Sequence, residues 1–125
     1  MFYVIIIWVT IMGNGIDLIK INRFEKYVNN IKFLKSIFNK NEINYIEKTN
    51  YSLNTIAGLY AAKEAFLKAI KKGINHHIML DIEISHDSNN APFIILHNSL
   101  KDKYKNISLS ISHDGEYAIA MVVLF

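Results

Sequence analysis

The sequence predicts an α+β fold in which a mostly antiparallel sheet packs with one long and one shorter helix. Three observations point there. Strand-like and helix-like segments are segregated along the chain, running strand, helix, helix, then strands. Residues 53–72 carry apolar side chains at helical spacing. Ile107-Ser-Leu-Ser-Ile-Ser112 alternates with period two and runs into Asp114-Gly115, a strong hairpin signal. With 125 residues, 51% of them hydrophobic, and no linker, repeat or low-complexity tract, residues 1–125 read as one domain.

The first segment, Phe2 to Met12, is rich in β-branched and aromatic residues and reads as a buried strand. It is shorter than the ~20 residues of a bilayer span, and it lacks the charged start and small-residue cleavage site of a signal peptide. Met12 is an alternative start that would delete most of this strand. Gly13-Asn14-Gly15 then breaks the extended pattern as a turn, with Asp17 just beyond it. Phe24, Val28, Ile31, Leu34 and Phe38 predict a helix from about Asn22 to Phe38, with Arg23, Lys26 and Asn30 facing out.

Residues 39–54 are polar and read as irregular, with one short turn near Glu42 to Ile46. The long helix runs from about Leu53 to Lys72, capped by Ser52 or Asn54 and closed by Gly73 as the left-handed terminal residue. Ile78 to Ile84 and Phe93 to His97 read as strands joined by the polar turn Asp87 to Pro92. After a type I′ turn at Asp114-Gly115, Tyr117 to Phe125 returns as a buried strand.

Composition narrows the chemistry. There is no cysteine, which removes disulfides, thiolate catalysis and Cys-based zinc sites, and suits a reducing, cytoplasmic compartment. The net charge of +3 favours an acidic partner but is too small to indicate nucleic acid. Lys and Asn are abundant, as AT-rich codons would supply them, and Arg23 is the only arginine. A lone Arg against a lysine background suggests either a need for a planar, bidentate donor or a chance survivor.

A few residues break the local pattern. Lys63 falls inside the apolar stripe formed by Ile56, Leu59, Tyr60, Phe66, Leu67 and Ile70, where a charge must either snorkel out or meet an anionic partner. Glu64 lies about 100° away, on a flank with Ala57, Ala61, Lys68 and Lys71. It is either an ordinary i,i+4 ion pair or part of a site that admits a large anion. Asp17 is either a turn residue or, with Glu64, half of a Mg²⁺ site of the kind that shares its metal with substrate phosphates.

Gly13-x-Gly15 lacks the third glycine of a dinucleotide fingerprint. His113 sits at the mouth of the hairpin, opposite Glu116, and His76, His77, His86 and His97 have no metal-ligand spacing. Ser112-His113-Asp114 is no hydrolase triad, because adjacent residues cannot supply that geometry.

Three ordered blocks carry a resemblance that runs from about Ile11 to the C-terminus. They are Gly13-Asn-Gly-Ile-Asp-Leu-Ile-Lys-Ile-Asn-Arg23, Ala57-Gly-Leu-Tyr-Ala-Ala-Lys-Glu-Ala-Phe-Leu-Lys-Ala69 and Ser110-Ile-Ser-His-Asp-Gly-Glu-Tyr-Ala118. Asp81-Ile-Glu-Ile84, with Pro92 beyond it, fits between the second and third. The chain resembles the small 4′-phosphopantetheinyl transferases of the holo-acyl-carrier-protein synthase type.

The resemblance implies their α+β fold and Mg²⁺-dependent transfer of 4′-phosphopantetheine from coenzyme A to a carrier-protein serine, with release of 3′,5′-ADP. It further implies that Asp17 and Glu64 bind the metal and form the catalytic set with Lys68, which contacts the coenzyme A phosphates. Lys63 and His113 join Lys68 as coenzyme-binding residues, and Arg23, with Lys20 and Lys26 beside it, meets the acidic carrier protein. A homotrimer with sites between subunits is implied too, with no nucleic acid and no membrane span. The serine proton has candidate acceptors in a metal-bound water, Glu64 or a nearby carboxylate.

The chain departs from the family at three places. Leu59 stands where relatives commonly carry arginine, Lys71 replaces the first glycine of a Gly-x-Gly, and Asn90-Ala91 stands where Gly-Lys is common before Pro92. These bear on substrate affinity and leave room for a non-catalytic module that binds coenzyme A or a carrier protein. A third reading makes the apolar N-terminus a membrane-surface or partner contact.

Overall fold

The computed structural model of the chain describes residues 1–5, 10–73 and 76–125. In chain order its elements are β1 (Gly13–Lys20), a 3₁₀ segment (Ile21–Tyr27), α1 (Ile31–Ile37), α2 (Lys40–Lys48), α3 (Leu53–Ala69), α4 (His76–Met79), β2 (Ile82–His86), β3 (Pro92–Leu96), a 3₁₀ turn (Asn98–Leu100), β4 (Ile107–Asp114) and β5 (Tyr117–Leu124). The strands form a three-stranded sheet in the order β1-β5-β4 and a separate β2-β3 hairpin, antiparallel at every pairing. This is the expected α+β class.

The first strand is displaced from its expected place. Residues 1–5 and 10–12 are exposed and outside any strand, and residues 6–9 lie outside the described residues. The ladder explains the limit. Gly13 pairs with Leu124, and the Met12 N–H reaches the Leu124 carbonyl at 2.8 Å, so β5 is used up there and none of the described residues upstream pairs with a strand. Gly13-Asn14-Gly15 is therefore strand, not turn.

The expected helix over 22–38 is two pieces. The Asn30 side chain accepts the Phe33 N–H at 3.0 Å and so begins α1 afresh. Tyr27 and Phe33 stack across the break at 3.8 Å. The stretch expected to be irregular holds α2, started by a capping box in which Asn39 and Glu42 exchange backbone-to-side-chain bonds of 3.0 Å each.

Ile78 to Asp81 is helix end and turn, closed by Asp81 N–H to the Ile78 carbonyl, so β2 starts only at Ile82. In the last hairpin Asp114 pairs with Tyr117. The loop is Gly115-Glu116 with only Gly115 at positive φ (56°), whereas a type I′ turn needs two such residues. His113 accordingly pairs with Ala118 rather than facing Glu116.

The central element is α3, which Ser52 caps by accepting the Thr55 N–H. Its left-handed terminal residue is Lys71 (φ 60°), not Gly73. Nearly every side is covered, as expected for a helix that is apolar most of the way round. Ala61, Ala65 and Ala69 are buried on it, and β1 crosses so closely that a Cβ on Gly15 would fall inside the Ala65 carbonyl and 2.7 Å from the Ala69 nitrogen. Gly15 is there for proximity.

Lys63 resolves its own puzzle. It is fully buried, and its ammonium donates to Glu42 Oε1 at 2.6 Å and to the Ile37 and Met79 carbonyls at 2.8 Å each. Burial pushes the Glu42 carboxyl up and the Lys63 ammonium down, against the attraction between them. Lys63→Met keeps the volume but strands Glu42. It is expected to cost about 3–5 kcal/mol, read as a lower urea midpoint; an unchanged midpoint would show that the pair contributes nothing.

Candidate active site

The site grows from the close approach of β1 and α3. Gly13, Gly15, Asp17 and Ile19 alternate onto the face that meets the helix, so the two glycines bring Asp17 to the flank of α3. There the Lys68 ammonium lies 3.1 Å from Asp17 Oδ1 and 2.9 Å from the Ile16 carbonyl oxygen. The carboxylate is mostly covered (12% exposed), whereas Lys68 remains open (53%).

Glu64 lies one turn before Lys68, is 8% exposed, and shares this flank with Tyr60 one turn earlier still. Burial, then the hydrogen-bonding and charge of Glu64, push the Tyr60 hydroxyl up to about 12, with a smaller push from Asp17. The Arg23 guanidinium lies over the Tyr60 ring at 5.6 Å from its centroid, and Phe24 meets that ring edge-on at 5.1 Å. Arg23, Tyr60, Glu64, Lys68 and Asp17 thus form one continuous line of polar groups.

The sequence places Tyr60 only in an apolar stripe. Its spacing of four residues from Glu64 is the signal that could have found it. Lys20 and Lys26 are both exposed, and Lys26 lies 5.0 Å over the Tyr27 ring rather than against this line.

Two expected coenzyme-binding residues fall elsewhere. Lys63 is corrected outright: all three of its N–H bonds are made inside the core, so none is left for a phosphate. His113 is exposed, with Nε2 2.8 Å from the Asn54 carbonyl, and it packs where Gly58 has no side chain. Across the sheet Asp17 pairs with Ala120, and Ala120 with Ile111, two residues before His113. Two strand spacings across the sheet, about 10 Å, and two residues along β4, about 7 Å, therefore separate His113 from Asp17 within one chain, about 12 Å in all.

Leu59 and Asn90, where the sequence departs from the family pattern, line one groove with Gly58, Pro92, Ile111 and His86. Tyr45 stacks on His86 beside it, ring centroids 4.0 Å apart.

The donor set fits magnesium. Asp17 and Glu64 are hard oxygen donors from two different elements, and Lys68 holds a positive charge against one of them. Among the described residues no group of three or more His, Asp or Glu side chains gathers as an all-protein cage. A Mg²⁺ ion usually takes one or two carboxylates and completes its shell with waters and substrate phosphates.

A family model described as the 4′-phosphopantetheinyl transferase superfamily matches residues 13–122, nearly the whole chain, and the chain belongs to that family. Within it the similarity is to the holo-[acyl-carrier-protein] synthases. The enzyme of that name from Finegoldia magna is 42% identical over 110 residues, covering 88% of this chain and 92% of the relative. The crystal structure of the Helicobacter pylori synthase in complex with coenzyme A superposes with a TM-score of 0.79 at 39% identity, covering 90% of this chain and 99% of that one. The Bacillus anthracis synthase in complex with CoA (3′,5′-ADP) gives 0.77 at 38% identity, covering 91% and 96%.

Proposed function

We propose that this chain, as a single domain over residues 1–125, moves the 4′-phosphopantetheine group of coenzyme A to a serine of apo-acyl-carrier protein at the Asp17–Glu64–Lys68 cluster. The observation that carries the reading is the Asp17–Lys68 contact, which sets a β1 carboxylate against α3 one turn from the buried Glu64. The serine hydroxyl gives up its proton to a water or carboxylate beside it, its oxygen bonds to the β-phosphorus, the bond from that phosphorus to the bridging oxygen breaks, and 3′,5′-ADP leaves.

Asp17 and Glu64 would hold Mg²⁺, which supplies charge neutralisation and alignment of the pyrophosphate. Lys68, more than half exposed, can swing from Asp17 to the phosphate oxygens, adding positive charge where negative charge develops. Arg23, stacked on Tyr60, presents its guanidinium at the end of the same line, where an acidic carrier would be oriented; Lys20 and Lys26 add positive potential that speeds encounter. A chain without cysteine suits the cytoplasm.

Incubating the chain with coenzyme A, Mg²⁺ and an apo carrier is expected to add a phosphopantetheine-sized mass to the carrier. Chelating the metal should stop the gain, and added Mg²⁺ should restore it. Coenzyme A binding without any gain across several apo carriers would favour the non-catalytic module instead.

The working unit is a homotrimer. Its support is the separation of His113 from the carboxylates, which a coenzyme lying between subunits would bridge, together with the outer face of the three-stranded sheet. There Ile16, Leu18, Tyr117 and Met121 stand 54%, 62%, 41% and 48% exposed, an apolar face that a second copy would cover. Met121→Lys is expected to shift the chain to monomer in sedimentation and to lower transfer at least about tenfold. A wild-type particle mass in the active protein equal to one chain would refute the trimer.

A further inference from the structure

Lys63 and Glu42 take no part in the chemistry above, yet they adjoin it. Lys63 precedes Glu64 on α3 and points about 100° away around the helix. Its three N–H bonds go to three different elements: the Ile37 carbonyl at the end of α1, Glu42 on α2, and the Met79 carbonyl at the end of α4. The other oxygen of Glu42 accepts the Ile84 N–H of β2 at 3.0 Å. Four elements are thereby tied to α3 through one ion pair.

On the opposite side, β1 and its glycines press directly on the Ala65 and Ala69 backbone. A buried ion pair adds little stability over an apolar pair of the same volume. What it adds is direction, because three short bonds from one nitrogen fix where that side chain points. A helix gripped on both sides cannot roll about its axis, and roll decides whether Glu64 and Lys68 face Asp17.

We propose that Lys63 is a positioning residue for the transfer reaction: with Glu42 it sets the roll of α3 that brings Glu64 and Lys68 to Asp17. This rests on the reading of Asp17, Glu64 and Lys68 as the site. Lys63 itself touches neither substrate nor metal.

The test is the paired variant Lys63→Met/Glu42→Gln, which removes both charges and keeps the volume. It is expected to unfold cooperatively and yet, assayed well below its Tm, to show kcat at least about tenfold below wild type, since small misplacements of reacting groups cost that much or more. Mg²⁺ titrated against Tm, with coenzyme A present, should need a several-fold higher concentration for half of its stabilising effect. Ile46→Val, a buried change on α2 one turn from Glu42 that leaves every bond of the pair in place, supplies the comparison: a lower Tm with kcat unchanged.

A paired variant that behaves like Ile46→Val, losing Tm but neither kcat nor Mg²⁺ response, overturns the proposal. Should the pair variant be insoluble, Lys63→Arg decides, because it keeps the charge but is too long to reproduce all three bonds. A tenfold fall in its kcat supports positioning, and wild-type kcat overturns it. Full activity in Glu64→Ala would instead remove the site itself, and this proposal with it.

Discussion

Glu64→Ala is expected to reduce transfer at least about 10²-fold, the scale on which single charge-stabilising groups act in such reactions, while the fold survives. Alanine is the best helix former, and the site is held by the backbone contacts of α3 with β1 rather than by the carboxylate itself. Asp17→Ala should do the same from the strand side, and it also frees Lys68 from its 3.1 Å partner. The distinguishing measurement is the rise in Tm caused by Mg²⁺ with coenzyme A bound. A ligand that binds only the folded state must stabilise it, so both variants should lose that rise. Full transfer by either one would sink the metal assignment.

Gly15→Ala is expected to have the largest effect on the fold of any single methyl group added to the chain. The new Cβ would meet the Ala65 carbonyl, with the Ala69 nitrogen at 2.7 Å and the Ala65 carbonyl carbon at 2.9 Å. All three are backbone atoms in the last turns of a buried helix, so no rotamer change relieves the clash. Overpacking usually costs about 1–3 kcal/mol when side chains can yield; here the upper end is the floor, a fall in Tm of about 10 °C or more. Since Asp17 is the next inward residue on β1, any protein that does fold should also transfer slowly. A Tm within two or three degrees of wild type would show that the seam is looser than drawn.

The Glu64–Lys68 side of α3 was legible in the sequence because helical spacing fixes which residues share a flank. Glu64 and Lys68 could be placed together from periodicity alone. What joined Asp17 to them was the resemblance, since no local pattern reveals that β1 lies against that flank. The glycines were read as a turn, because proximity to a distant helix and backbone flexibility favour the same residue.

Lys63 looked like a ligand-binding charge because its partner, Glu42, lies 21 residues away on an element that was not recognised. Yet α2 had a local signature in Asn39-x-x-Glu42 followed by Ile43 and Ile46, outweighed by its polar composition. Ile78 to Leu80 has the composition of a strand yet closes a helix, because short apolar runs have no distinguishing period. The β3, β4 and β5 strands came through, their alternation set by one face packed and one face open.

Lys68 has one further attachment, to the Ile16 carbonyl on β1, and β1 is one of the two border strands of its sheet. A bare border invites other chains to add themselves by hydrogen bonding, and lysines along it are a common deterrent. The residue proposed to neutralise phosphate charge therefore also places a positive charge on that border. Removing it would expose a carbonyl and subtract a repelling charge at the same spot. Loss of activity in a Lys68 variant consequently speaks about chemistry only when the sample is first shown to be monodisperse.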